Sequence, residues 1–211
     1  MSVEERPGSA SPRPRGTSNQ ARWEEVLTVA AAVFSEKGYS SATLQDIASQ
    51  LGMLKGSLYY YIDSKEDLLF EILRRAHQQG VQYVQENEEA ASADPPTRLA
   101  FLIRRWMQGL ESLPAELRVA EHDFRYLEGE RRAEIMALRA RIAAVPTQII
   151  VAGIRDGSFD PSVDAYAATS TLFRVLNTTG QWYRPGGRTT WEAVTDWIVH
   201  LFLGGLAAGG P

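Results

Sequence analysis

The feature that most constrains this chain is the short gap between two brief apolar repeats near its N-terminus. Leu44, Ile47, Ala48 and Leu51 recur at spacings of three and four, Gly52 ends that run, and a second run over 55–60 follows after only a few residues. Such spacing places side chains on one face of a helix, and so short a connection makes the pair a tight helix–turn–helix. Upstream, Trp23, Val26, Leu27, Ala30, Ala31 and Phe34 form a longer stripe that begins near Ser18 and ends at Gly38, where a left-handed residue is easiest to place. Thr43 can cap the second helix, with Asp46 in its first turn where a carboxylate favours the helix dipole.

Helical spacing continues to the end of the chain. Ser64-Lys65-Glu66-Asp67 is a capping pattern and opens a helix expected to reach about Glu89. Asp94-Pro95-Pro96 is a clear break. Beyond it the pattern predicts helices over 97–112, 115–126, 129–156, about 162–182 and 190–206, with Pro146 kinking the long one. No segment reads as a strand, so the fold class is all-α with about nine helices. Three regions are expected: a disordered basic tail over 1–17, a helix-turn-helix unit over 18–65 and a larger helical unit over 66–211.

The net charge of −4 argues against nucleic acid until its distribution is considered. Residues 1–65 hold seven basic and seven acidic side chains, so the whole deficit lies in the remainder, and the stretch 6–22 has four arginines and no acid. A neutral head with a basic arm is compatible with phosphate binding. With no cysteine, disulfides, zinc-thiolate sites and thiol catalysis are excluded. No apolar run approaches the ~20 residues of a membrane span, and no signal core is seen, so a cytosolic protein without membrane association is expected. His77, His122 and His200 are scattered, and no catalytic constellation or nucleotide-binding glycine loop stands out. The expectation is a non-enzyme without metal or cofactor.

In a helix-turn-helix the second short helix enters the major groove while the first braces it. Here Gln45, Lys55, Ser57, Tyr59, Tyr60 and Tyr61 are the polar and aromatic groups left over once the apolar face is turned inward. Lys55 and Ser57 suit base edges or phosphates, and Gly56 permits close backbone approach. Tyrosine hydroxyls can donate to phosphates, and Lys65 stands at a helix N-terminus, where an anion is welcome. Three consecutive tyrosines cannot all face inward, because successive helical residues differ by about 100°.

The residues Thr43-Leu44-Gln45-Asp46-Ile47-Ala48, Leu51-Gly52-Met53, Gly56-Ser57-Leu58-Tyr59-Tyr60-Tyr61-Ile62 and Ser64-Lys65-Glu66-Asp67-Leu68-Leu69, preceded by Ala31-Ala32-Val33-Phe34-Ser35-Glu36-Lys37-Gly38-Tyr39, resemble the DNA-binding domain of the tetracycline-repressor (TetR) family. The resemblance covers about residues 20–75. It implies a homodimer on a palindromic double-stranded operator, with DNA contacts from Thr43, Gln45, Lys55, Gly56, Ser57, Tyr59, Tyr60 and Lys65; Tyr61 joins them as a candidate where the family often has His. Trp182-Tyr183-Arg184-Pro185-Gly186-Gly187 and the helix after it are similar to the C-terminal domains of family members that regulate fatty-acid and steroid breakdown, many of which respond to acyl-coenzyme A thioesters.

For the larger unit the candidate effector-binding residues are Trp106, His122, Phe124, Phe173 and Asn177, with Arg174 near them, a mixture that suits a lipophilic molecule with a few polar anchors. Trp191, Val194, Trp197, Ile198, Leu201 and Phe202 form one apolar face of the last helix, expected to be uncovered in a single chain and buried in a homodimer. Two rivals remain: an architectural DNA-binding protein without ligand control, which should lack a cavity, and a helical small-molecule carrier with a degenerate head.

Overall fold

The computed structural model describes residues 17–86, 93–112 and 114–209. Apart from Thr17, the tail expected over 1–17 lies outside the described residues, as does the end of the fourth helix beyond Glu86. The described residues form nine α-helices and no strand. The chain divides into two compact units between Ile72 and Leu73, not at 65/66. The boundary falls inside a helix because Leu68, Leu69 and Ile72, all buried, extend the apolar pattern of the first unit past the cap.

The first unit contains α1 (Thr17–Lys37), α2 (Leu44–Gln50), α3 (Lys55–Leu58) and the start of α4 (Lys65–Gln85). Helix α2 packs against both α1 and α3, which buries Val26, Ala30, Phe34, Ile47, Ala48 and Leu58. Gly38 and Gly52 adopt φ of +78° and +63°, left-handed values that a side chain would strain, so they reverse the chain where the sequence pattern stops. Helix α3 is a single turn, shorter than the 55–60 expected. The chain leaves it through three-residue turns, Tyr60 N–H to Ser57 O at 3.3 Å and Tyr61 N–H to Leu58 O at 2.9 Å, and these deliver Ile62 to the core.

In the second unit α5 (Pro95–Ser112) is central and packs against α7 (Gly129–Asp156), α8 (Ala165–Trp182) and α9 (Trp191–Leu206). Its Leu99, Leu102, Ile103, Trp106, Met107 and Leu110 are buried at helical spacing. Helix α6 (Pro114–His122) stops before the expected 126; a 3-10 turn, Phe124–Tyr126, takes over with Tyr126 N–H to Asp123 O at 3.0 Å. Helix α7 continues unbroken through Pro146, whose ring is buried. By length and composition alone α7 could cross a membrane, which corrects the expectation that no such run exists. Its Ile135, Leu138, Ile142, Ile149 and Ile150 are buried instead, as in a core helix packed on α5 and α8. The C-terminal end of α9 is tied back by Asp160 N–H to Leu206 O at 2.9 Å.

Candidate DNA interface and effector cavity

The first unit presents a compact polar and aromatic surface. Lys55, Gly56 and Ser57 are exposed on α3 while Leu58 beneath them is sealed from solvent. Tyr59 and Tyr60 are 50% and 75% exposed, large values for rings that could have been buried. Gln45 is exposed on α2 and bonds Ser49 at 3.2 Å. Lys55, Gly56, Ser57, Tyr59, Tyr60 and Gln45 are thus all available to a partner.

Three other expected contacts have work inside the unit. Tyr61 is partly buried and stacks on Trp23 at 6.2 Å and 13°; it is the inward-facing tyrosine of the three. Thr43 closes a capping box: Asp46 N–H donates to its hydroxyl at 3.1 Å, and its own N–H donates to the Asp46 carboxylate at 2.9 Å. Hydrogen bonds from Lys37 and Thr43 hold the Asp46 carboxyl at a pKa of about 2. The ammonium of Lys65 is not free for a phosphate. It donates to the carbonyls of Tyr39 at 2.7 Å, Ala42 at 2.9 Å and Ser40 at 3.4 Å, and lies 4.4 Å from the Tyr39 ring centre. It satisfies carbonyls between α1 and α2, so the anion site expected at the N-terminus of α4 is replaced by a clamp.

The second unit encloses a cavity of about 480 Å³ between α4, α5, α6, α7 and α8. Trp106, Phe173 and Asn177 line it as expected. The two rings meet edge-to-face at 4.8 Å, and Trp106 Nε1–H donates to Asn177 Oδ1 at 3.1 Å. Asn177 Nδ2–H donates to Glu121 at 3.4 Å, and Arg174 donates to the other oxygen of that carboxylate at 3.1 Å. One wall is therefore an ordered polar chain running from an indole to an ion pair.

His122 and Phe124 do not line this cavity. His122 is exposed, and its Nε2 accepts from the Gln181 amide at 3.2 Å. Phe124 lies under two guanidinium groups, those of Arg132 at 4.6 Å and Arg139 at 4.1 Å. Both residues missed the cavity because α6 ends at His122 and the following 3-10 turn carries Phe124 elsewhere.

Sequence reasoning overlooked His77 and Arg139, which the fold brings together on the cavity wall. His77 Nδ1 lies 2.6 Å from the Leu73 carbonyl, so that nitrogen carries the proton. Nε2 then accepts from Arg139 Nε at 3.0 Å. Burial pushes the His77 pKa down to about 4, with the Arg139 charge adding to the effect, and the ring is neutral at pH 7. Arg139 also donates to Ala120 O at 2.9 Å, and burial lowers its own pKa. A signal existed in the sequence: Arg139 falls at helical spacing between Ile135 and Ile142, a charge on the apolar stripe of α7.

On α9 the expected apolar face splits in two. Val194 and Ile198 are 4% and 0% exposed within the single chain, on a helix that packs on α5. This corrects the expectation that they form an uncovered surface. Trp191 points the same way, donating to Met107 O at 3.1 Å and meeting Tyr183 at 4.9 Å. Trp197 and Leu201 remain 56% and 48% exposed, with Phe202 partly covered. Only this second half can meet a partner.

An exposed one-turn helix braced by two others, next along the chain to a helical unit with a ligand-sized cavity, defines the class of helix-turn-helix regulators that carry their own sensor. The comparisons with known proteins agree. The description of bacterial regulatory proteins of the tetR family matches residues 26–72, and that of the tetracyclin repressor-like C-terminal domain matches residues 92–206, more than half of the chain. The chain belongs to the TetR family and is a DNA-binding transcriptional regulator. It is 30% identical to the HTH-type transcriptional repressor KstR2 of Rhodococcus jostii over 91% of this chain and 94% of that one. The structure of the ketosteroid transcriptional regulator KstR2 of Mycobacterium tuberculosis is similar with a TM-score of 0.81 and 27% identity, covering 94% of this chain and 99% of that one. AibR, solved in complex with isovaleryl coenzyme A and operator DNA, is similar with a TM-score of 0.79 and 25% identity, covering 85% of this chain and 97% of that one.

Proposed function

We propose that the protein is a homodimeric repressor that holds a palindromic operator and leaves it when a lipophilic effector, of the acyl-coenzyme A type, enters the cavity of the second unit. The observation that carries this reading is that cavity of about 480 Å³, walled by the Trp106–Phe173 pair and edged by polar groups. Its size and mixed lining fit a small-molecule site. They also count against an architectural role, which requires no cavity. The presence of isovaleryl coenzyme A and operator DNA together on AibR supports the effector class.

On this reading Lys55, Gly56, Ser57, Tyr59, Tyr60 and Gln45 meet DNA, while Trp197 and Leu201 supply the apolar half of the dimer face. The two recognition helices then stand about one DNA turn apart, ~34–36 Å. Helix α4 contributes residues to both units and is the natural carrier of the signal. The protein is a regulator and not an enzyme, and works in the cytoplasm. To reverse a 1:99 balance the effector must prefer one state by roughly 5.5 kcal/mol. The test is a mobility-shift titration on an operator selected from random-sequence DNA with the purified chain. Acyl-coenzyme A thioesters should weaken the shifted complex in a dose-dependent way; an operator complex indifferent to every thioester chain length refutes the effector class.

A further inference from the structure

The cavity contains a cation without a counter-charge. Among its lining residues Glu121 is the one acid, facing two arginines, Arg139 and Arg174, and His77 is held neutral. Both oxygens of Glu121 are already engaged, one by Arg174 and the other by Asn177. Glu121 is close enough to favour the charge on Arg139, yet among the described residues no carboxylate forms an ion pair with that guanidinium. A guanidinium has five N–H donors, and two of those of Arg139 are used, on His77 and on Ala120 O. Its face rests on Phe124. Three donors on a partly buried cation remain for something else, and a buried charge lacking its opposite is costly.

The surroundings fix the geometry of this cation. The neutral His77 ring accepts from Nε, Ala120 O anchors one terminal nitrogen, and the Phe124 ring supports the plane. A guanidinium held planar, with donors along one edge, matches a two-oxygen anion. Beside it the Trp106–Phe173 pair, Met136, Ile142 and the alanines of α7 offer apolar walls.

We infer that Arg139 is the effector-reading residue of this cavity, and that its natural ligand presents a carboxylate, carried on an apolar body, to that guanidinium. The inference rests on the reading of the cavity as the effector site and narrows it. A carboxylate on an apolar body has two sources: a free lipophilic acid, or the distal carboxyl group of a thioester whose acyl chain bears two.

Two matched pairs test it by isothermal titration of the full chain: 2-naphthoate against 2-naphthamide, and suberyl-coenzyme A against octanoyl-coenzyme A. The charged member of one pair should bind at least tenfold more tightly. The pair that shows the gap identifies the source. In Arg139→Gln the gap should close, and in Arg139→Lys part of it should survive, with melting curves and effector-free operator binding confirming that both variants fold. The inference is overturned if neither pair shows a gap in the unaltered chain, including the case where no probe binds at millimolar concentration, or if the gap persists in Arg139→Gln. Operator release is not part of this readout. A carboxylate preference without any effect on the operator complex would therefore sink the proposed function and leave the assignment of Arg139 standing.

Discussion

Replacing Lys65 with Met separates a clamp from a phosphate contact. The substitution keeps much of the stem and removes an ammonium that donates to Tyr39 O at 2.7 Å, Ala42 O at 2.9 Å and Ser40 O at 3.4 Å. Two of these bonds are short and partly buried, and the third is long and exposed. A hydrogen bond to a charged group contributes about 1.5–3 kcal/mol, less where water can take its place. The lost cation–π contact with Tyr39 adds roughly 0.5 kcal/mol. With water reaching at least one freed carbonyl, a net loss of about 2 kcal/mol is expected, which lowers the melting temperature by ~4–8 °C in a chain of this size. Urea unfolding followed by circular dichroism gives the first number. Operator affinity measured from low to moderate salt, at a temperature where both proteins are folded, gives the second. Each phosphate contact contributes about 0.9 to the slope of log affinity against log salt. The clamp predicts a stability loss with that slope unchanged. A Lys65→Met variant as stable as the parent, with the slope reduced by about one, would refute the reasoning and restore the phosphate contact.

Two further outcomes follow from the packing of the second unit. His77 titrates at about 4 in the folded chain against an ordinary value of 6.5, so the unfolded chain binds the proton more readily. Its neutral form therefore contributes stability in full above pH 6.5, and that contribution fades as pH falls towards 4. At ~1.4 kcal/mol for each pH unit between the two values, the loss is of the order of 3 kcal/mol. In His77→Gln, which can still donate to Leu73 O and accept from Arg139, urea midpoints between pH 7 and 4 should be markedly flatter; an unchanged slope assigns the acid sensitivity elsewhere. At Gly153 a Cβ would collide with the ring of Phe159, which is 1% exposed and has little room to retreat. Gly153→Ala should cost about 1–3 kcal/mol by overpacking, and adding Phe159→Leu should recover part of it in the same unfolding assay.

The sequence by itself determined what depends on near neighbours. The stripes of α1 and α2, the stops at Gly38 and Gly52 and the Thr43–Asp46 cap are all set within a few residues, and helix periodicity and capping are local properties. The exposure of Lys55, Ser57, Tyr59 and Tyr60 was legible for the same reason: Leu58 could turn inward only by turning them out. The long helix α7 was legible too, with both its ends. Periodicity names an apolar face but not what covers it. That is why the α9 stripe read as one surface, although the fold seals Val194 and Ile198 and leaves Trp197 and Leu201 open. The cavity was the least legible part. Trp106 meets Asn177 across 71 positions, Arg139 meets His77 across 62, and Lys65 reaches carbonyls more than twenty positions back. Such pairings exist only once helices have packed, because the distance that decides whether a charge finds a partner is set by the crossing of two helices and not by spacing along either one. Tertiary structure alone decided that Lys65 is committed within the fold, that Phe124 supports Arg139, and that Arg139 faces the cavity without an acid of its own.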